Sequence, residues 1–264
     1  MAIRIGPSEL GGVDEAVKNL ERFHELGFKA CEIEFTYGVY IKKDKDNKEI
    51  EEIRKAAEKY DIKLSIHAPY WINLNSDDKK KVEQSKKRIL DSCEVGELLG
   101  VKYVVFHPGY YGKQKGEETY DNIKKEISDM QNVLKKSKWK IRLAPETTGK
   151  VNVFGKEEEI LALVKDTGCF FTLDFSHLYA RTQGKMTYKE MLNKVKEFKT
   201  LHCHFSGIEF GEKGEKNHKM ADEKEIRKLM TELKKIKGKE ISVISESPDP
   251  VFDSKRYLEI FKGI

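Results

Sequence analysis

KLSIHAPYWINLNSDDKKKVEQSKKRILDSCEVGELLGVKYVVFH, residues 63–107, holds one complete strand–helix–strand unit. Lys63–His67 and Tyr103–His107 are short apolar runs of strand length, and each ends in a histidine. Between them a charged stretch with apolar residues at spacings of three and four runs from about Lys79 to Leu99. Gly100 then supplies a suitable helix stop. Two strands joined by such a helix lie parallel in one sheet.

The same alternation extends in both directions. Candidate strands are Ile3–Ile5, Lys29–Phe35, Lys63–His67, Tyr103–His107, Ile141–Glu146, Cys169–Asp174, Thr200–Phe205 and Glu240–Glu246. Helical stretches separate them: Asp14–Leu26 places Ala16, Val17, Leu20 and Phe23 on one face, and Ser254–Phe261 closes the chain. Eight rounds with no break in composition predict an α/β fold, a (βα)8 TIM barrel that takes residues 1–264 as a single domain. The length of 264 residues agrees with the roughly 250 typical of that architecture. An open doubly wound sheet would need a glycine-rich phosphate loop after the first strand, and Ser8-Glu9-Leu10-Gly11-Gly12 is unlike that fingerprint.

Composition narrows the function classes. No stretch approaches the ~18 consecutive apolar residues of a membrane span. The opening MAIRIGPSEL lacks a basic start followed by an apolar run. A soluble, cytoplasmic protein without membrane association is expected. Cys31, Cys93, Cys169 and Cys203 have no CxxC spacing, so they read as small buried hydrophobes rather than a disulfide framework or zinc finger. A net charge of +5 permits nucleic-acid binding without requiring it, and Lys79–Lys81 and Lys234–Lys235 read as solvated helix faces.

The reactive side chains gather at strand ends. His67 closes the third strand and His107 the fourth; Glu146 ends the fifth, and Asp174 the sixth, with His177 just beyond. His204 ends the seventh strand, with His218 in the loop that follows, and Glu246 ends the eighth. The C-terminal strand ends of a barrel ring one mouth, so these residues are expected to converge there. His24, in the first helix, and His202, deeper on the seventh strand, read as packing histidines. Packing gives no reason for acids and imidazoles at six consecutive strand ends, and burying them together is costly unless cations offset the repulsion. Mixed nitrogen and oxygen donors suit Zn²⁺, and also Mn²⁺ or Fe²⁺.

SIHAPYWINLN, FHPG, LAPETTGK, LDFSH, HFSG with a downstream histidine, and ISESPDP occur in order over nearly the whole chain. Together they resemble the endonuclease IV family, the apurinic/apyrimidinic endonucleases of base-excision repair. The resemblance implies a TIM barrel that carries a trinuclear zinc cluster and acts, as a monomer, on double-stranded DNA with abasic sites. Carried across by motif, His67, His107 and Glu146 bind one metal. Glu146 bridges to a second held by Asp174, His204 and Glu246, and His177 and His218 belong to a third. Tyr70 matches the tyrosine set against the opened duplex. The implied reaction is hydrolysis of the phosphodiester 5′ to the lesion by a metal-bound hydroxide, with Glu146 as the catalytic carboxylate. One departure concerns the third site: the family reads Asp-x-His, and this chain reads Lys216-Asn217-His218. Substitution by Glu215 or Glu212, a water in that place, and a weak or absent third metal are then the alternatives, and Lys216 could instead hold a DNA phosphate directly.

Tyr37 and Tyr40, Tyr70 and Trp71, and Tyr110 and Tyr111 follow successive strands and are candidates for stacking on DNA, with Lys42, Lys43 and Lys45 beside the first pair. The alternative reading is a sugar isomerase or epimerase with one metal. Glu146, Asp174, His204 and Glu246 alone suffice for it, and its two glutamates move protons next to a carbonyl. His67, His107 and His177 exceed that need. An idle barrel that binds without turnover has no use for any of them.

Overall fold

A computed structural model describes residues 2–41, 47–113 and 116–264. In chain order its first half runs β1 (Ala2–Pro7), α1 (Val13–Glu25), β2 (Ala30–Glu34), α2 (Lys48–Lys59), β3 (Lys63–His67), α3 (Lys79–Leu99), β4 (Tyr103–Phe106), α4 (Gly116–Lys136) and β5 (Arg142–Pro145). The second half runs α5 (Glu157–Thr167), β6 (Thr172–Asp174), α6 (Phe175–Arg181), α7 (Tyr188–Lys194), β7 (Thr200–Phe205), β8 (Gly207–Gly211), β9 (Gly214–Lys219), α8 (Glu223–Lys235), β10 (Glu240–Ser245) and α9 (Pro250–Gly263).

Two parallel half-sheets, β2-β3-β4-β5 and β1-β10-β7-β6, close on each other into the TIM barrel. At one seam the Phe170 amide donates to the Leu143 carbonyl (2.7 Å) and the Thr147 amide to Thr172 (3.1 Å). At the other, the Lys29 amide donates to Ile5 (3.0 Å). A β-carbon on Gly6 would lie 1.6 Å from the Ala30 carbonyl oxygen, so β1 and β2 meet this closely only because residue 6 has no side chain. Buried residues such as Ile66, Val104, Leu143, Leu173 and Val243 belong to one continuous apolar core. All four cysteines are buried and unpaired.

Helix α3 ends where the sequence places its stop, with Gly100 left-handed at φ 71°. Four barrel strands finish one residue earlier than expected, so Phe35, His107, Glu146 and Glu246 stand just past β2, β4, β5 and β10. Val17 lies 39% exposed, off the buried stripe of α1. The hairpin β8–β9 stands where only a loop was expected, because its glycines and charges lack the apolar alternation of a buried strand. No helix among the described residues is long and apolar enough to cross a membrane.

Gly6→Ala is expected to cost about 3 kcal/mol, the upper end for overpacking, while Gly38→Ala, with nothing within 4 Å of the new carbon, stays near neutral. Denaturant midpoints of both variants check this; equal midpoints would contradict the proposed seam.

Candidate metal centre

The barrel register sets the depth of each side chain. Glu34 pairs with His67 across β2–β3, and Asp174 with His204 across β6–β7. Just past the strands, the Glu146 amide donates to Phe106 (3.0 Å) and the Glu246 amide to Phe205 (3.2 Å). Glu146 is fully buried. One of its oxygens lies 2.9 Å from His107 Nε2 and 3.4 Å from His67 Nε2. The other lies 2.9 Å from His204 Nδ1.

Asp174 ends β6 and caps α6 in the same step, because its Oδ1 accepts from the His177 amide at 2.6 Å. Helix α6 therefore starts at once, and its first turn carries His177 into the cluster. Asp174 Oδ2 is buried and makes no hydrogen bond; His177 Nδ1 lies 3.5 Å from it.

Backbone carbonyls fix three of the rings. His67 Nδ1 sits 2.8 Å from the Ala68 carbonyl, His177 Nδ1 2.9 Å from Thr147, and His218 Nδ1 2.9 Å from Glu246. A carbonyl only accepts, so each Nδ1 carries a proton, and in its neutral form each ring turns a lone pair on Nε2 inward. His177 Nε2 and His218 Nε2 then face each other at 3.2 Å. Two lone pairs at that distance need a proton or a cation between them.

Glu215 completes this group, with its carboxylate 3.5 Å from His177 Nε2 and 4.0 Å from His218 Nε2. Side chains in a strand alternate, so residue 216 would ordinarily share a face with His218. The hairpin register instead runs Glu209↔Asn217 and then Phe210↔Glu215, which leaves Lys216 as the extra residue of a bulge. Glu215 thus joins the His218 face, and Lys216 points to solvent over Gly211. A carboxylate is present at this group after all, one residue earlier in the chain than the family spacing implies. Glu212 sits exposed in the hairpin turn.

Four groups of donors result: His67–His107–Glu146, Glu146–Asp174–His204–Glu246 and His177–Glu215–His218 at the mouth, and Glu32–His202–His204 deeper in the barrel. The ligand atoms of each lie within 4.8 Å of one another. The orphaned Asp174 oxygen, the opposed imidazoles and the mixed nitrogen and oxygen donors all fit divalent cations. Sequence reasoning missed Glu32 and Glu34 on β2. Glu32 meets both His202 Nε2 (3.0 Å) and His204 Nε2 (2.9 Å), so His202 does more than pack.

A cleft of about 680 Å³ opens beside the cluster and is lined by Glu9, Glu34, Tyr40, Tyr70, His218 and Glu246. A cavity of about 600 Å³ at the opposite mouth is lined by His202 but by no residue of the three groups at the first mouth. Tyr37 is 86% and Tyr70 57% exposed at the rim, as Trp71 and Tyr110 also are. Tyr111 instead packs on Phe154 and donates to Glu159 (2.7 Å), so it belongs to the loop's own packing. Lys42, Lys43 and Lys45 lie outside the described residues. His24 stacks on Tyr60, away from the cluster.

Burial alone would lower the His67 pKa, but Glu146 outweighs it and raises it to about 10. Asp174 and Glu146 likewise overcome burial at His177 and raise it to about 9. Burial pushes Asp174 up to about 6. Burial also acts to raise Glu146, yet His204 and His107 hold it well below the usual carboxylate range. A histidine raised above its ordinary ~6.5 stabilises the fold below that pH and loses the contribution as pH climbs to the folded value. Chelator-treated protein is therefore expected to lose stability between pH ~6.5 and ~10. Cations compete with the same protons, so added Zn²⁺ should stabilise increasingly over that range. Thermal unfolding with and without Zn²⁺ measures both slopes, and parallel profiles would contradict the cluster's coupling to metal.

Residues 20–262 match the family described as xylose isomerase-like TIM barrel. An uncharacterized protein of Methanocaldococcus jannaschii is 36% identical over 263 residues, 95% of this chain and 93% of that one. Apurinic-apyrimidinic endonuclease 1 of Plasmodium falciparum is 26% identical over 230 residues, which cover 80% of this chain but 38% of that protein. Among solved structures, endonuclease IV from Thermus thermophilus superposes with a TM-score of 0.73 at 21% identity, covering 98% of each chain. A D-tagatose 3-epimerase-like protein superposes with a TM-score of 0.68, also at 21% identity and 98% of each. With its fold and nearly its whole length in agreement, the chain belongs to the xylose isomerase-like TIM-barrel family.

Proposed function

We propose that this protein is a metal-dependent endonuclease that hydrolyses DNA 5′ to abasic sites. The supporting observation is that Glu146 belongs to two donor groups at once, with a third group alongside. In this reading His67, His107 and Glu146 hold one cation, Glu146, Asp174, His204 and Glu246 a second, and His177, Glu215 and His218 a third. The donors suit Zn²⁺, with Mn²⁺ or Fe²⁺ as alternatives. Bound cations supply charge for the phosphoryl oxygens and a nucleophile at neutral pH.

The chain's own residues do the rest. Glu146 stays ionised at neutral pH and fixes the spacing of the first two groups. Tyr70 and Tyr37, exposed at the rim, stack on the opened duplex. Lys216, turned outward by the bulge, meets a backbone phosphate. A baseless sugar leaves the helix at lower cost than a paired base.

A duplex carrying one abasic analogue should be cut, and chelator should stop the cutting. Glu146→Gln should lower the rate by at least about 10³-fold with the fold intact by circular dichroism. Incision by that variant at the wild-type rate would refute the mechanism. In protein purified without chelator, Glu215→Gln should hold one metal equivalent fewer. Lys216→Ala should keep the full count and reduce the salt slope of DNA binding by about one. Metal loss in the lysine variant instead would reverse the two roles.

One observation favours a second reading, a sugar epimerase with a single metal. Glu9, Glu34 and Glu246 line the cleft, and burial, aided by Glu246, pushes Glu34 up to about 7. Such a wall repels phosphates but accepts sugar hydroxyls. In this reading Glu146 and Glu246 move protons beside the carbonyl. Ketohexoses incubated with the enzyme in deuterium oxide would then gain deuterium at that carbon; the nuclease reading predicts none.

A further inference from the structure

His204 is held differently from its neighbours. His67, His177 and His218 each lean on a backbone carbonyl through Nδ1. His204 is reversed: its Nδ1 points inward, 2.9 Å from Glu146 Oε1 and 2.9 Å from Glu246 Oε1. Its outer nitrogen, Nε2, meets Glu32 Oε1 at 2.9 Å, an ion-pair contact rather than an aligned hydrogen bond.

Glu32 is fully buried in the middle of β2, in a layer that barrels ordinarily fill with branched apolar side chains. A buried carboxylate is costly there unless it is paired. Its second oxygen accepts from His202 Nε2 (3.0 Å), and His202 Nδ1 in turn lies 2.8 Å from Ser242 Oγ. A chain of polar contacts therefore crosses the barrel interior, from Ser242 near the N-terminal end of β10 to the donors at the opposite mouth. His202 and Ser242 anchor Glu32, and Glu32 faces a ring that, like His107, has no backbone-carbonyl contact among the described residues.

We propose that Glu32 is a positioning residue of the metal centre, holding the His204 ring so that Nδ1 faces Glu146 and Glu246. A carboxylate behind a ligating imidazole fixes the ring and raises its basicity, and loss of such partners commonly weakens metal binding 10–100-fold. The proposal rests on the reading of the cluster as a metal centre and adds to it a residue behind a ligand, in place of the alternative that Glu32, His202 and His204, whose donors also lie within 4.8 Å of one another, hold an ion themselves.

Wild type and Glu32→Gln, both stripped of metal, are titrated with Zn²⁺ against a chromophoric chelator, and Co²⁺ absorption spectra are recorded in parallel. One site should weaken by about 10–100-fold, excess Zn²⁺ should refill it, and the Co²⁺ bands should shift. Unchanged affinity and bands with a lowered unfolding temperature would make Glu32 a core strut and overturn the proposal. A site that excess Zn²⁺ cannot refill would make Glu32 a ligand, which also overturns it. Should the glutamine variant not fold, Ser242→Ala loosens the same chain from its far end. It should weaken the same site several-fold, and no change there counts against the proposal. A wild-type protein that takes up no metal refutes the metal centre itself, a result distinct from either of these.

Discussion

A single buried carboxylate organises this molecule. Glu146 has no contact with solvent, yet His67, His107 and His204 crowd its two oxygens. Burying that charge without partners would be prohibitive, and the imidazoles alone bring protons of their own into the same space. The donor groups around it therefore have to be read together, because moving any one ring exposes the others to unbalanced charge. The parallel barrel makes this possible, since it brings side chains from β3 to β10 to a common height at one mouth.

The β8–β9 hairpin shows how little local sequence spacing means apart from backbone geometry. An acid three residues before His218 would face away from it in a regular strand, and the bulge at Lys216 turns it back. The same bulge sends a lysine outward at the rim, so one extra residue sets the charge on both faces of the hairpin.

Strand–helix periodicity makes the barrel legible in the amino-acid sequence, because parallel strands buried on both faces read as unbroken apolar runs. Histidines and acids at the ends of those runs are legible for the same reason. Glu32 and Glu34 are not: inside CEIEF they interrupt a core strand, and without knowledge of what lies across the barrel their spacing of two carries no address. His202 reads as packing because its partner, Glu32, is 170 residues away. The bulge is hidden from the sequence since register is a property of the paired strands, not of either one.

The nuclease and sugar readings share four residues and part over how many cations Glu146 serves. Diffraction from crystals of the Zn²⁺-loaded protein, collected at the zinc edge, settles that count directly. A three-cation centre requires anomalous peaks on both sides of the Glu146 carboxylate and another between His177 and His218. A lone peak among Glu146, Asp174, His204 and Glu246, or none, would contradict it.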